Sequence, residues 1–150
     1  MTVYPIRDVV PHRASLLLLD ELVHWDDDSI HAALVVPSKG AFAGPDGVPA
    51  WIGIEYMAQA IGAYAGLRAR RSGEPVRIGF LLGTRRYQSR WARFPAGSRL
   101  RVRVAHDYSA GSGLSVFGCR IVCGETEVAE ASLTVFAPED PARFLREGAA

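Results

Sequence analysis

The sequence has only two cysteines, Cys119 and Cys123, without further Cys or His at ligand spacing, which argues against a structural metal site. They stand four apart in a β-like stretch. That spacing turns both thiols to one side but holds the Cα atoms beyond disulfide range, so two reduced, packing thiols are expected. Long hydrophobic runs are missing as well: stretches such as Leu16–Leu19 fall far short of the ~20 residues that span a bilayer, and no membrane insertion is expected. Met1–Asp8 lacks the basic flank and apolar centre of an export signal, which points to a cytoplasmic address. Charge of one sign is also lacking. Lys plus Arg number 17 against 16 acidic residues, a net charge of +1, so no overall field gathers nucleic acid or anionic lipid. Repeats, low-complexity tracts and long linkers are absent, as are a phosphate-binding glycine loop and a nucleophile elbow.

What is present suits one domain over residues 1–150, with 49% apolar and 22% charged residues. A chain of this length can bury roughly two-thirds of its unfolded surface. Leu16–Trp25 and Ile30–Val36 read as strands joined by a turn at Asp26-Asp27-Asp28-Ser29. A Gly-, Pro- and Ala-rich loop, Pro37–Val48, follows. Four more β-like segments come late in the chain: Arg77–Arg90, Ser98–Tyr108, Leu114–Cys123 and Glu127–Phe136. The second of them alternates Leu100, Val102, Val104 with Arg99, Arg101, Arg103, the pattern of a half-buried strand. Turn residues between these segments favour an antiparallel meander.

Between Pro49 and Arg71 the period becomes helical. Trp51, Ile54, Ala58, Ile61 and Ala65 recur at +3, +4, +3, +4, which predicts one apolar stripe facing the core. Pro49 suits the first turn, and Arg68, Arg70 and Arg71 complement the negative end before Gly73 and Pro75 stop the helix. Gly53, Gly62 and Gly66 within it suggest that another backbone approaches closely. The element order β-β-α-β-β-β-β is an α+β arrangement, a large antiparallel sheet with one long helix.

Two residues stand out for chemistry. Glu55 falls at the edge of the buried helix face, among Ile54, Met57, Ala58 and Ala60, with Gln59 one turn on and able to hydrogen-bond to it. A carboxyl shielded from water favours its protonated form and suits general acid/base work, whereas a solvated helical Glu is the plain alternative. His12, in Pro11-His12-Arg13, precedes a buried strand and is either a structural histidine or a proton-transfer group. His24, His31 and His106 read as surface or strand-end residues.

Four motifs in order then make a specific resemblance: Pro11-His12-Arg13 with Leu17-Leu18-Leu19-Asp20, Glu55-Tyr56-Met57-Ala58-Gln59-Ala60, Gly79-Phe80-Leu81-Leu82-Gly83, and Phe94-Pro95-Ala96-Gly97. Over about residues 10 to 136 the chain resembles the FabA/FabZ 3-hydroxyacyl-carrier-protein dehydratases, and more closely the dehydratase-like proteins of aryl-polyene clusters. The resemblance implies a hot-dog fold, an antiparallel sheet wrapped round one long helix, paired sheet edge to sheet edge into a dimer. It implies loss of water from a 3-hydroxyacyl thioester carried on phosphopantetheine, with an acyl carrier protein as partner and no other cofactor. It maps the catalytic acid onto Glu55 and sets the Pro11-His12-Arg13 segment near the same tunnel, so His12 and Glu55 are the expected catalytic residues, with Gln59, Gly44 and Phe80 expected at the substrate.

In typical members a loop histidine serves as base, but the corresponding loop here reads Gly40-Ala41-Phe42-Ala43-Gly44, with Ala41 at that position. Three readings follow. His12 replaces the lost base while Glu55 is the acid, or Glu55 alone activates water to hydrolyse the thioester, or the chain is the partner subunit of a heterodimer with a paralogue. Homodimer and heterodimer both remain open. An acidic carrier protein calls for a local basic patch, for which Arg85, Arg86 and Arg90 are candidates, supplemented by Arg70 and Arg71.

Overall fold

Strands and helix follow one another as β1 (Glu21–Trp25), β2 (Ser29–Val35), β3 (Val48–Pro49), α1 (Gly53–Ser72), β4 (Phe80–Ser89), β5 (Arg93–Phe94), β6 (Arg99–Ser109), β7 (Leu114–Cys123) and β8 (Thr126–Phe136). The structure is a computed structural model and describes residues 5–6, 17–73, 80–109, 113–137 and 146, with only the backbone of 80–82. Six strands form one antiparallel sheet in the order β1-β2-β6-β7-β8-β4, and β3 pairs with β5 in a short separate ladder.

The alternating pattern decides which side of the sheet is the core. Leu100, Val102 and Val104 are buried while Arg99, Arg101 and Arg103 lie on the open face. Neighbouring strands continue the same layer with Ile30, Ala32 and Leu34 on β2 and Phe117, Cys119 and Ile121 on β7. Helix α1 packs across this layer with Tyr56, Met57, Ala60, Ala63, Tyr64 and Leu67.

The β1–β2 turn forms where expected, because the Asp26 carboxylate accepts the backbone N–H groups of Asp28 at 2.9 Å and Ser29 at 2.8 Å. Those bonds, that to Asp28 foremost, hold the Asp26 carboxyl below the usual carboxylate range. The turn is anchored to the far end of α1: Tyr64 Oη donates to Asp27 O at 2.9 Å, and Arg71 reaches the Asp27 carboxylate at 2.7 Å. Gly73, in the left-handed region at φ 70°, closes the helix as expected, its N–H reaching back to Ala69 and Arg70 carbonyls.

Several sequence expectations are corrected. The first strand is Glu21–Trp25 and leaves out Leu17–Asp20, since the Leu18 N–H is bonded to the Gln59 side chain rather than to the sheet; Leu16 lies outside the described residues. The meander holds for β6, β7 and β8 only. β4 pairs with β8 at the far edge, and the short β3–β5 ladder beneath the helix start carries the chain back past two strands to β6. The buried stripe of α1 is also rotated from the expected one: Trp51 is 62% exposed, Ala65 is exposed, and Ile54 and Ala58 are half-buried, leaving only Ile61 of the five in the core. The helix is apolar or small nearly all round, so more than one stripe fits a period of 3.6. At Gly53 the close neighbour is a side chain rather than a backbone, because a Cβ there would collide with the Tyr87 hydroxyl and touch Ile121 Cδ1 at 3.0 Å.

Candidate active site

Glu55 stands in the first turn of α1, half-buried, three residues from the Pro49–Ile52 turn that starts the helix. Gln59 lies one turn later on the same azimuth, and its Nε2 donates to Glu55 Oε1 at 3.2 Å. The other end of the same amide accepts the backbone N–H of Leu18 at 2.9 Å. Gln59 is completely buried, the one polar side chain in the core among the described residues. A buried amide needs both ends satisfied, so this pair of bonds joins the carboxyl of the helix to the strand-like segment Leu17–Asp20. The helical spacing of Glu55 and Gln59 made the first bond foreseeable. Nothing local in the sequence foretold the second.

Beside the helix start lies a pocket of about 260 Å³ lined in part by Leu17, Leu18, Asp20, Ala41, Phe42 and Tyr56. Ala41 lines it without an ionisable group, and Lys39 is the titratable side chain that the same loop brings to the pocket. Asp20 Oδ2 accepts the Val35 N–H at 2.7 Å, and Tyr56 stacks on Phe94 with ring centroids 6.1 Å apart. Burial, with Asp20 and Tyr87 adding to it, pushes the Tyr56 hydroxyl up to about 12, so it remains a neutral donor. Asp20 and Tyr56 were within the resembling motifs but carried no individual signal for this pocket. Phe42, at φ 67°, and Trp51 meet edge to face at 6.1 Å on the outside, and both are about half or more exposed.

The other expected site residues fall as follows. His12 lies outside the described residues, and so does the Phe80 side chain, although Phe80 opens β4. Gly44 exchanges both backbone hydrogen bonds with Gly47, each at 2.9 Å, which commits its N–H within the loop. Arg85, Arg86 and Arg90 are exposed at or just after β4, at the sheet edge away from β1. Cys119 and Cys123 are free thiols. Among the described residues no group of three or more His, Cys, Asp or Glu side chains could hold a metal ion, and no helix is long and apolar enough to cross a membrane.

A six-stranded antiparallel sheet packed on a single long helix is the hot-dog fold. The model of the ApeP-like family, described as ApeP dehydratase, matches residues 4–146, and the chain belongs to that family. No curated protein matches it. Among solved structures, the dehydratase heterocomplex ApeI:P from Xenorhabdus doucetiae is similar at 27% identity, covering 97% of each chain with a TM-score of 0.88. A hypothetical thioesterase from Streptococcus pneumoniae with coenzyme A shares the fold at 14% identity and TM-score 0.62, over 78% of this chain and 84% of that one. The PaaI protein of E. coli does so at 11% identity and TM-score 0.61, over 77% and 80%.

Proposed function

We propose that the chain takes part in removing water from a 3-hydroxyacyl thioester, borne on the phosphopantetheine arm of an acyl carrier protein, as one subunit of a hot-dog dimer. The observation that carries this reading is the Glu55 carboxyl, held by the buried Gln59 amide at the start of the central helix. Dehydration needs an acid for the departing hydroxyl and a base for the Cα proton. Glu55 protonates the hydroxyl as the C–O bond breaks, His12 takes the Cα proton, and the C–H electrons become the new C=C bond. A proton then passes back from the imidazole to the carboxylate. His12 stands in for the base that Ala41 cannot supply.

Two features favour a site completed by a second subunit. Ala41 and Tyr56 line the pocket and Glu55 is not among its lining residues, which favours an acid that meets the loop only when a second subunit is in place. Trp51 and Phe42 also leave an apolar surface open beside them. The similarity to the ApeI:P heterocomplex favours a paralogous hot-dog partner over a second identical chain.

The test follows enoyl product and free thiol after incubation with a 3-hydroxyacyl carrier protein, with and without a paralogous hot-dog subunit. Enoyl formation, alone or on adding that subunit, is the expected result. Release of free thiol without enoyl product would replace dehydration by thioester hydrolysis.

A further inference from the structure

The face of the sheet turned away from α1 carries a concentration of arginine that the fold does not need. Arg103 on β6 lies directly opposite Arg120 on β7, and across from Arg103 on its other side is His31 of β2. Like charges placed directly across a strand pair destabilise a sheet. Arg99 and Arg101 extend the same face of β6, and Arg85 and Arg86 close it from the β4 edge. Arg85, Arg86, Arg103 and Arg120 together line a groove of about 360 Å³ floored by Gly118 and Ser132. The groove spans three strand spacings, roughly 15 Å.

Little within the chain neutralises this face. Among the described residues, Arg120 has one carboxylate, Glu127, at 3.6 Å, and Arg85, Arg86 and Arg103 have no ion pair. Glu130 lines the groove and the Asp107 carboxylate lies over Gly118, so acidic groups are present but outnumbered. His31 registers the resulting field: partial burial, then the positive charge of Arg103, hold its imidazole below the usual range. Arg86 adopts φ 56° within a bulge between Arg85 and Gln88, a conformation disfavoured for a side chain of its kind. All but Lys39 of the basic residues in this chain are arginine, whose planar fork pairs with carboxylates in bidentate fashion.

We infer that this arginine groove on the outer sheet face docks an acidic protein surface, one presenting carboxylates along a helix, and that in the dehydration reading this surface is the carrier protein. The inference rests on that reading for the identity of the partner, not for the groove. A continuous polyanion such as nucleic acid fits poorly, because Glu127, Glu130 and Asp107 interrupt the positive field. A helix of about three turns, roughly 16 Å long, with carboxylates three and four residues apart, matches the groove's span and can face the arginines while avoiding the acids. The location differs from the helix end, where Arg71 is already paired with Asp27 at 2.7 Å.

The test measures binding of a fluorescently labelled acidic holo-acyl carrier protein to the full chain by anisotropy, at low and high salt. Binding that weakens with salt, and weakens at least tenfold further in R103E/R120E at low salt, is expected. R103Q/R120Q should lose affinity in the same direction, which keeps the test valid should the reversed pair fold poorly. R70E/R71E should bind as the parent chain does. The proposal is overturned if R103E/R120E and R103Q/R120Q bind like the parent, if R70E/R71E alone abolishes binding, or if the parent chain does not bind. Enoyl formation from a soluble pantetheine thioester, read separately on the parent chain with and without a paralogous hot-dog subunit, reports on the dehydration reading without involving the groove.

Discussion

Replacing Gln59 by Met removes the amide while retaining the length of the side chain, so the cavity term is small. The hydrogen bonds lost include the one from the Leu18 N–H at 2.9 Å and the one to Glu55 Oε1 at 3.2 Å. Each bond contributes about 1 kcal/mol net, and a donor left unmet inside costs about 1–3 kcal/mol. Relief from burying the amide offsets part of this, since Gln59 is fully enclosed. The net loss should be about 2–3 kcal/mol, which for a chain of this size lowers Tm by about 5–10 °C. The change should also free the Glu55 side chain to leave its productive rotamer, reducing kcat by roughly 10-fold to 100-fold with little change in KM. Thermal unfolding by circular dichroism and steady-state dehydration kinetics give the two readings. A variant with unchanged Tm and unchanged kcat would refute the view that Gln59 joins the Leu18 segment to the site.

Three further outcomes follow from the packing and the titrating groups. Gly53→Ala should destabilise the fold by about 1–3 kcal/mol although Ala is the better helix former by about 1 kcal/mol, because its Cβ meets the Tyr87 hydroxyl that donates to Ala50 O; adding Tyr87→Phe should recover part of the loss in chemical denaturation. Burial pushes the Cys119 thiol up to about 12, with Asp107 adding to it, so at pH 8 iodoacetamide followed by mass mapping should label the half-buried Cys123 first and Cys119 only on unfolding. The Asp26 carboxyl titrates below its unfolded value, so its contribution is present above the usual carboxylate range and is lost as pH falls through the folded value. Denaturation midpoints of the parent chain and Asp26→Ala should therefore differ at pH 6 and converge towards pH 2.

The parts of the fold that could be read in advance depend on local rules. β6 announces itself by strict alternation, the β1–β2 turn by an aspartate able to cap its own backbone, and the end of α1 by a glycine that accepts positive φ. The parts that could not be read depend on distant partners. Which face of α1 is buried is undetermined when Ile54, Ala58 and Ala65 compete with Tyr56, Met57 and Ala60, and only the sheet decides. That β4 joins β8 rather than β6 follows from crossing the helix, which no pattern within β4 encodes. In the site, Glu55 and Gln59 were legible as a pair one turn apart, but the Leu18 N–H that completes the arrangement is 41 residues from Gln59. The outer arginines were visible singly as polar alternation, and only strand register places Arg103 against Arg120.

The central claim is that the Glu55 carboxyl is the proton donor in dehydration. Its most direct test is enoyl formation from a 3-hydroxyacyl carrier protein by Glu55→Gln, assembled with whatever hot-dog partner activates the parent chain, since Gln keeps the shape of Glu and can still bond to Gln59. A fall in kcat of about 100-fold or more, with assembly and Tm preserved, is the predicted result. An unreduced rate in the fully assembled variant would contradict the account.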